Sequence, residues 1–184
     1  MTPQQLAKSD SEHAHQRAFF AYVSVARLHG FNVADEWASG IQLDIAKDRY
    51  SRTDSGITDL TWLHAVPNGG SRGDTDKSRM IQGGKMKAEG VLSGVADVVL
   101  PIPRLATATL QTMFGSATPF HGVLCGLYIE MKKPAERPKR ESSKGGLSDE
   151  QIEFAEFVKS RGYAWRVCYD WIEAVDTVKT YTRG

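Results

Sequence analysis

The sequence predicts a single α/β domain, residues 1–184, with a central mixed β-sheet flanked by helices. Apolar residues recur at helical spacing in the first clear segment. Further along the chain, apolar strand-like runs alternate with helical segments, which is typical of an α/β sheet. A chain of 184 residues with 41% hydrophobic residues is long and apolar enough to bury one core.

The helices are predicted from periodicity and from their end residues. The first is expected over 11–29, because Gly30 suits the position after the last turn. The best-marked helix follows Ser148, which forms a capping-box pattern with Gln151, and it ends at Gly162. A final amphipathic helix is predicted for DWIEAVDTVKTY, and two weaker helices for TDKSRMIQGGKMKAEG and RLATATLQTMF.

Three strong strands are predicted, GVADVVLPIP, GVLCGLYIEM and AWRVCY, with a shorter strand in TWLHAV. The segment 102–121 between the first two reads as an insertion, and 132–147 reads as an exposed basic loop. Residues 31–58 give no clear pattern, although Trp37 and Ile41 suggest packing there.

Composition limits the cellular setting. The formal net charge is +1, so any nucleic-acid surface must come from local clustering of cations. No apolar run approaches the length of a membrane span, and the polar start is unlike a signal peptide. Cys125 and Cys168 are expected to be buried reduced thiols rather than a disulfide. A cytoplasmic protein without membrane contact is therefore expected.

A candidate site is predicted around the second strand. Glu130 and Lys132 lie two residues apart and share one face of that strand, whereas Met131 points to the core. Asp97, on the neighbouring strand, is placed to approach Glu130. Two close carboxylates repel each other, and hard oxygen ligands select Mg²⁺ or Mn²⁺ as the compensating ion. The structural alternatives are a turn-capping Asp97 and a solvated Glu130–Lys132 pair.

These motifs resemble a known family. The segments GVADVVLP, GLYIEMKKP, LSDEQIEF and GYAWRVCY, preceded by HAVPNGGSRG, resemble the VRR-NUC family of the PD-(D/E)xK nuclease superfamily. The resemblance covers about residues 11–180 and implies a restriction-endonuclease-like core. It departs from the superfamily pattern at Ala96, where a proline usually precedes the first Asp.

The resemblance implies a role for each matching residue. Asp97 and Glu130 become metal ligands, together with the backbone carbonyl of Met131, and Lys132 becomes the catalytic lysine. Glu12 matches the acidic residue of the family's first helix, where the helix dipole would favour an acid anyway. Gln151 matches the family's glutamine, although one rotamer is not expected to serve both this role and the capping box equally.

The implied function is metal-dependent cutting of DNA. Stand-alone members resemble phage-type homodimeric Holliday-junction resolvases, which leave 5′-phosphate and 3′-hydroxyl ends, and two symmetric cuts suit a two-fold dimer. The final helix and the apolar residues of 31–58 are candidate dimer surfaces. The alternatives are a nuclease specific for flaps, single strands or duplex ends, and a DNA-binding module without catalysis.

Contacts to the DNA backbone are expected from two segments. The glycine-rich NGGSRGD lacks the Gly-Lys-Ser/Thr ending of a phosphate loop, so Asn68 and Arg72 are predicted to contact DNA instead. The basic loop adds five further cations and is predicted to bind phosphate, the alternative being a solvated face. These cations are Lys133, Arg137, Lys139, Arg140 and Lys144.

Overall fold

The computed structural model describes residues 1–41, 53–66, 81, 84–85, 88–115, 119, 121–140 and 143–183. Within these ranges six strands form two sheets. The strands are β1 (His64–Ala65), β2 (Val98–Leu100), β3 (Arg104–Leu105), β4 (Val123–Leu124), β5 (Leu127–Met131) and β6 (Ala164–Cys168).

The larger sheet has the order β1-β2-β5-β6. Strands β1 and β2 are antiparallel, as are β2 and β5, whereas β5 and β6 are parallel. The predicted mixed sheet is therefore confirmed. Strands β3 and β4 form a separate antiparallel pair.

Helices cover both faces of the larger sheet. Leu127, Ile129 and Met131 share one face of β5 and belong to the hydrophobic core together with side chains of the first long helix and the last helix. On the opposite face the Tyr128 ring meets Phe154, edge to face, at 5.3 Å. The helices are α1 (Pro3–Leu6), α2 (Glu12–His29), α3 (Phe31–Ala38), α4 (Ala108–Phe114), α5 (Asp149–Ser160) and α6 (Trp171–Arg183).

Most predicted helices are confirmed. Helix α2 ends one residue before Gly30, and α5 begins after Ser148, whose side chain accepts a hydrogen bond from the backbone N–H of Gln151. Helix α3 lies in the stretch that gave no clear pattern, and its buried residues are Phe31, Ala34 and Ala38. The helix predicted before Gly90 lies largely outside the described residues.

The strands are shorter than predicted. The run GVLCGLYIEM divides into β4 and β5 around Gly126, where an added Cβ would lie 3.0 Å from the Leu100 carbonyl oxygen. The segment expected to be an insertion contributes Leu110 and Phe114 to the core, so it is an integral part of the fold.

The final helix, one of the two expected dimer surfaces, packs within the chain, whereas residues 42–52 of the other lie outside the described residues. Trp171, Val175, Val178 and Tyr181 of α6 are buried, and most of them pack in the same core as α2. In α6 the large hydrophobic side chain left exposed is Ile172, at 53%. The amphipathic pattern of α6 is therefore explained by packing within one chain.

Both cysteines are free, as expected, but only Cys168 is buried, whereas Cys125 is half-buried. Burial raises the pKa of the Cys168 thiol to about 12, so this side chain is a packing group. None of the helices in the described part of the chain is long and apolar enough to cross a membrane.

Candidate active site

The candidate site lies where β2 begins and β5 ends. Asp97 directly precedes β2, and its Oδ2 accepts a hydrogen bond of 2.8 Å from the backbone N–H of Met131. Because Val98 pairs with Ile129, the same register places Asp97 opposite Glu130. The structure thus brings together the two carboxylates that the sequence assigned to neighbouring strands.

Glu130 and Lys132 form a buried ion pair. Lys132 Nζ lies 2.9 Å from Glu130 Oε1, and the two side chains are 9% and 1% exposed. Met131, between them, is fully buried in the core on the other face of β5. This burial contradicts the alternative of a solvated cross-strand pair. A buried ion pair is costly unless further hydrogen bonds support it.

Gln151 completes the capping box and contacts Glu130 in one rotamer, so the expectation that one rotamer cannot make both contacts was wrong. Its Oε1 accepts a 3.0 Å hydrogen bond from the backbone N–H of Ser148, which completes the capping box. Its Nε2 donates to Glu130 Oε1. The two ends of the amide point in different directions and carry opposite hydrogen-bonding character, so one side chain can cap α5 and bind the site.

Glu12 stands in the first turn of α2, after the N-cap Ser11. The helix is fixed here by His15, whose Nδ1 accepts a 3.3 Å hydrogen bond from the backbone N–H of Trp171 and whose Nε2 lies 2.8 Å from Asp10 Oδ1. Since Nδ1 is an acceptor, Nε2 carries the proton and donates to Asp10. His15 therefore joins the start of α2 to the start of α6 and holds Glu12 beside the strands.

The site carries more negative charge than its surroundings stabilise. Burial and the neighbouring Asp97 raise the pKa of Glu130 to about 8, although Lys132 opposes this. Burial and Asp97 also raise the pKa of Glu12. Burial disfavours the charged form of Lys132, but the hydrogen bond to Glu130 prevails and raises the pKa of the ammonium. An added cation would favour the ionised form of both glutamates.

One oxygen of the site lacks a partner. Glu130 Oε2 is buried and makes no hydrogen bond within the described residues. A buried carboxylate oxygen without a partner is costly and calls for a proton or a cation. Carboxylate oxygens of Asp97 and Glu130 fit a hard divalent cation. Among the residues that the structure describes, however, no group of three or more His, Cys, Asp or Glu is arranged to hold a metal ion.

Gly94 fixes the approach of the Asp97 segment to α5. Its φ is +84°, and an added Cβ would lie 2.6 Å from the backbone carbonyl carbon and oxygen of Glu150, in the first turn of α5. The loop before Asp97 therefore packs directly against the helix that carries Gln151. Only glycine meets both demands.

We expect Gly94→Ala to lower the free energy of unfolding by at least about 2 kcal/mol, because it adds a backbone clash to the strain of a left-handed residue. Gly90→Ala is the matched control, since Gly90 has a φ of +88° and no atom within 4 Å of the added Cβ. Urea denaturation of both variants gives the comparison. Equal losses of stability would contradict the packing of Gly94 on α5.

The basic loop is partly neutralised by acids outside it. Arg137 donates to Glu173 at 2.6 Å and lies 5.0 Å above the Tyr169 ring, and Lys144 pairs with Asp149. The other three cations assigned to DNA, Lys133, Lys139 and Arg140, are exposed and make no ion pair within the described ranges. Asn68 and Arg72 lie outside the described residues.

Sequence reasoning missed two contributors to the site. His15 fixes the start of α2, and its contact with Trp171 spans 156 positions, which no local pattern reveals. Glu136 adds to the raised pKa of Glu12, and its carboxylate packs against Gly146, whose φ is +78°. His64 in β1 is exposed, and its Nδ1 lies 2.8 Å from the Trp62 carbonyl oxygen.

Comparison of the chain with protein-family models, curated proteins and solved structures found no match. The nuclease assignment accordingly depends on the residues of the site and on the motif resemblance.

Proposed function

We propose that this chain is a divalent-metal-dependent endonuclease that cuts branched DNA, with a four-way junction as the expected substrate. The observation that supports it most is the buried Glu130 carboxylate. One of its oxygens is bound by Lys132 and Gln151, the other has no hydrogen-bond partner among the described residues, and Asp97 lies opposite it in the strand register. Such an arrangement suits a cation and a phosphate better than it suits a packed core.

Asp97 and Glu130 would hold Mg²⁺ or Mn²⁺, with the Met131 backbone carbonyl and Glu12 as further expected ligands. When bound, the ion supplies Lewis acidity and a bound water of lowered pKa. The protein contributes the rest. Gln151 restricts the Glu130 carboxylate to one orientation, and the Met131 N–H does the same for Asp97. Lys132 places a fixed positive charge where the phosphate becomes more negative in the transition state.

The substrate assignment depends on the family resemblance. A junction requires two symmetric cuts, which a homodimer would supply, and the expected ends are a 5′-phosphate and a 3′-hydroxyl. A phage-type member would act in the host cytoplasm. Flaps, single strands and duplex ends are the alternative substrates for the same site.

A non-catalytic DNA-binding module is the second candidate. It is favoured by the absence of a three-ligand group within the described residues and by the pairing of Lys132 with Glu130. In that case the ion pair would be a purely structural element. A cleavage assay and a binding assay on the same substrates distinguish an endonuclease from a non-catalytic module.

The test uses purified protein and a labelled four-way junction, with matched flap, single-strand and duplex substrates, in Mg²⁺, Mn²⁺ or chelator. Paired symmetric nicks that require metal are the expected result. Metal-dependent cutting of another substrate would support the site assignment and show that the preferred substrate is not the junction. Binding without cutting of any substrate would favour the module.

Metal binding should also appear as a pH-dependent stabilisation. Because the pKa of Glu130 is raised from 4.5 to about 8 in the folded protein, the folded state binds this proton more tightly than the unfolded state does. The Glu130 contribution to stability is therefore present at low pH and is lost as pH rises between these values. We expect Mn²⁺ to raise the melting temperature more at pH 8 than at pH 5.

Glu130→Gln is the control for this measurement, since it resembles the protonated side chain and cannot ionise. The variant should lose most of the Mn²⁺ effect, and its stability relative to the wild type should improve as pH rises from 5 to 8. Thermal melts at several pH values, with and without Mn²⁺, give both quantities. An identical Mn²⁺ effect in the two proteins would place the ion elsewhere.

The exposed loop cations should act through DNA affinity. Replacing Lys139 and Arg140 with Gln should weaken junction binding and lower the slope of log affinity against log salt by about one to two. The paired cation Lys144, replaced in the same way, is the control and should change the slope less. An unchanged salt slope in the double variant would show that this loop is a solvated face and does not contact DNA.

A further inference from the structure

A groove of about 440 Å³ follows the outer edge of β6, the last strand of the sheet. Its walls come from the end of α4, from α5 and from the start of α6. A space of this volume is large enough for one small polar group of a ligand together with the ligand atoms next to that group. The residues that matter for its chemistry are Lys159, Trp165 and Arg166.

Hydrogen-bond donors without acidic partners converge on this groove. Lys159 Nζ lies 4.9 Å above the Trp165 ring, and Arg166 Nη1 donates a 3.0 Å hydrogen bond to the Met113 carbonyl oxygen. Neither cation makes an ion pair within the part of the chain that the structure describes. Burial lowers the pKa of Lys159, although the charge of Glu156 opposes this shift.

Trp165 adds a donor that is already desolvated. Its Nε1 is buried and has no hydrogen-bond acceptor among the described residues. An indole N–H can only donate, and so can ammonium and guanidinium groups. Trp165 and Arg166 are consecutive residues of β6 and point to opposite faces of the sheet, so they would contact successive parts of one extended ligand. A ligand that satisfies these donors must present acceptors, and two positive charges favour an anion.

The acid of the groove is already neutralised. Glu173 accepts hydrogen bonds from Arg137 at 2.6 Å and from the backbone N–H of Tyr169 at 2.7 Å. Its charge is thus offset by a guanidinium and an amide dipole. The remaining charge of the groove is positive, from Lys159 and Arg166.

The groove also adjoins the candidate active site. Val167 lines the groove and is paired in register with Glu130 on the neighbouring strand, and paired strands lie about 4.8 Å apart. Burial raises the pKa of Tyr169, at the end of the groove, and the positive charges of Arg137 and Lys132 oppose this shift, so Lys132 lies near the groove. A chain of phosphates that leaves Glu130 across this edge would meet Lys159 and Arg166.

We propose that the β6-edge groove binds the phosphate backbone of the DNA strand that is held at the candidate active site, with Lys159 and Trp165 Nε1 as donors on one face of β6 and Arg166 as a donor on the other. This inference rests on the proposed function and adds the path of the DNA along the protein. The groove residues contribute to affinity, whereas the chemistry stays at Asp97, Glu130 and Lys132.

The test measures binding of a labelled four-way junction in chelator, by fluorescence anisotropy over a range of salt. Lys159→Gln with Arg166→Gln should weaken binding roughly tenfold and lower the salt slope by about one to two. Arg183→Gln is the control for loss of one positive charge, because it removes that charge from an exposed position about 15 Å along α6 from Glu173, and it is compared with Lys159→Gln alone.

Arg166 also holds the end of α4, so Lys159→Gln alone is measured as well, with thermal melts to show that each variant is folded. Lys159→Gln alone should give part of the same loss and leave the melting temperature unchanged. If the folded groove variants bind as tightly as Arg183→Gln, the groove is not on the DNA path, and the proposed nuclease function stands. If the wild type neither binds nor cuts DNA, the proposed function itself is overturned.

Discussion

Lys132→Ala is expected to reduce DNA cleavage at saturating substrate by about 10²–10³-fold while leaving DNA affinity nearly unchanged. The ammonium is held 2.9 Å from Glu130 in a buried site, so its position is set before substrate arrives. A fixed charge of this kind stabilises the transition state more than the bound substrate, and its loss appears in the rate rather than in binding. Single-turnover cleavage and a gel-shift titration measure the two effects separately.

The adjacent lysine supplies the control for this prediction. Lys133 is exposed and follows Lys132 directly, so Lys133→Ala removes the same charge outside the ion pair. We expect it to weaken binding slightly and to leave the saturated rate within about threefold of wild type. A Lys132→Ala variant whose binding falls in parallel with its cutting would show that the residue acts on DNA affinity.

Asp97→Asn should reduce cleavage by about 10³-fold, because it removes a metal-binding charge worth several kcal/mol of transition-state stabilisation. The substitution preserves the local structure. An asparagine carbonyl oxygen can still accept the hydrogen bond from the Met131 N–H, which Asp97 Oδ2 accepts at 2.8 Å. The loss of rate would therefore report the charge and not the fold.

Two further variants sharpen this result. Asp97→Ala removes both the charge and the hydrogen bond, so it should lose thermal stability as well as activity. Asp176→Asn, at an exposed position of α6, changes the same charge and should leave both unchanged. Calorimetry with Mn²⁺ should show weaker binding to Asp97→Asn. If this variant binds the metal and cleaves DNA as the wild type does, Asp97 is not part of the metal-binding site.

The sequence predicted the parts of the fold that local chemistry determines. Helix α5 was predicted with its capping box because Ser148 and Gln151 interact within one turn. The pairing of Glu130 with Lys132 followed from the two-residue period of a strand, and the proximity of Asp97 followed from placing two apolar runs side by side.

Other features depend on contacts between distant residues. The stretch before Ser39 folds as α3 because Phe31, Ala34 and Ala38 bury against the core, a tertiary effect that its weak local pattern does not show. His15 and Trp171 meet only after α2 and α6 have packed. The sequence predicts that Arg137 is available to DNA, but the fold places Glu173 beside it. Local patterns therefore placed Asp97, Glu130 and Lys132 together, and the fold determined which neighbouring cations are already paired with acids.

The central claim is that Asp97, Glu130 and Lys132 form a metal-dependent phosphodiesterase site. Its most direct test is cleavage of a labelled four-way junction by wild type and Glu130→Gln, each with Mn²⁺ and with chelator, followed by identification of the product ends. We predict cutting by the wild type in Mn²⁺ alone, with 5′-phosphate ends, and a loss of at least about 10²-fold in the variant. Equal cutting by Glu130→Gln, or cutting by the wild type in chelator, would contradict the assignment.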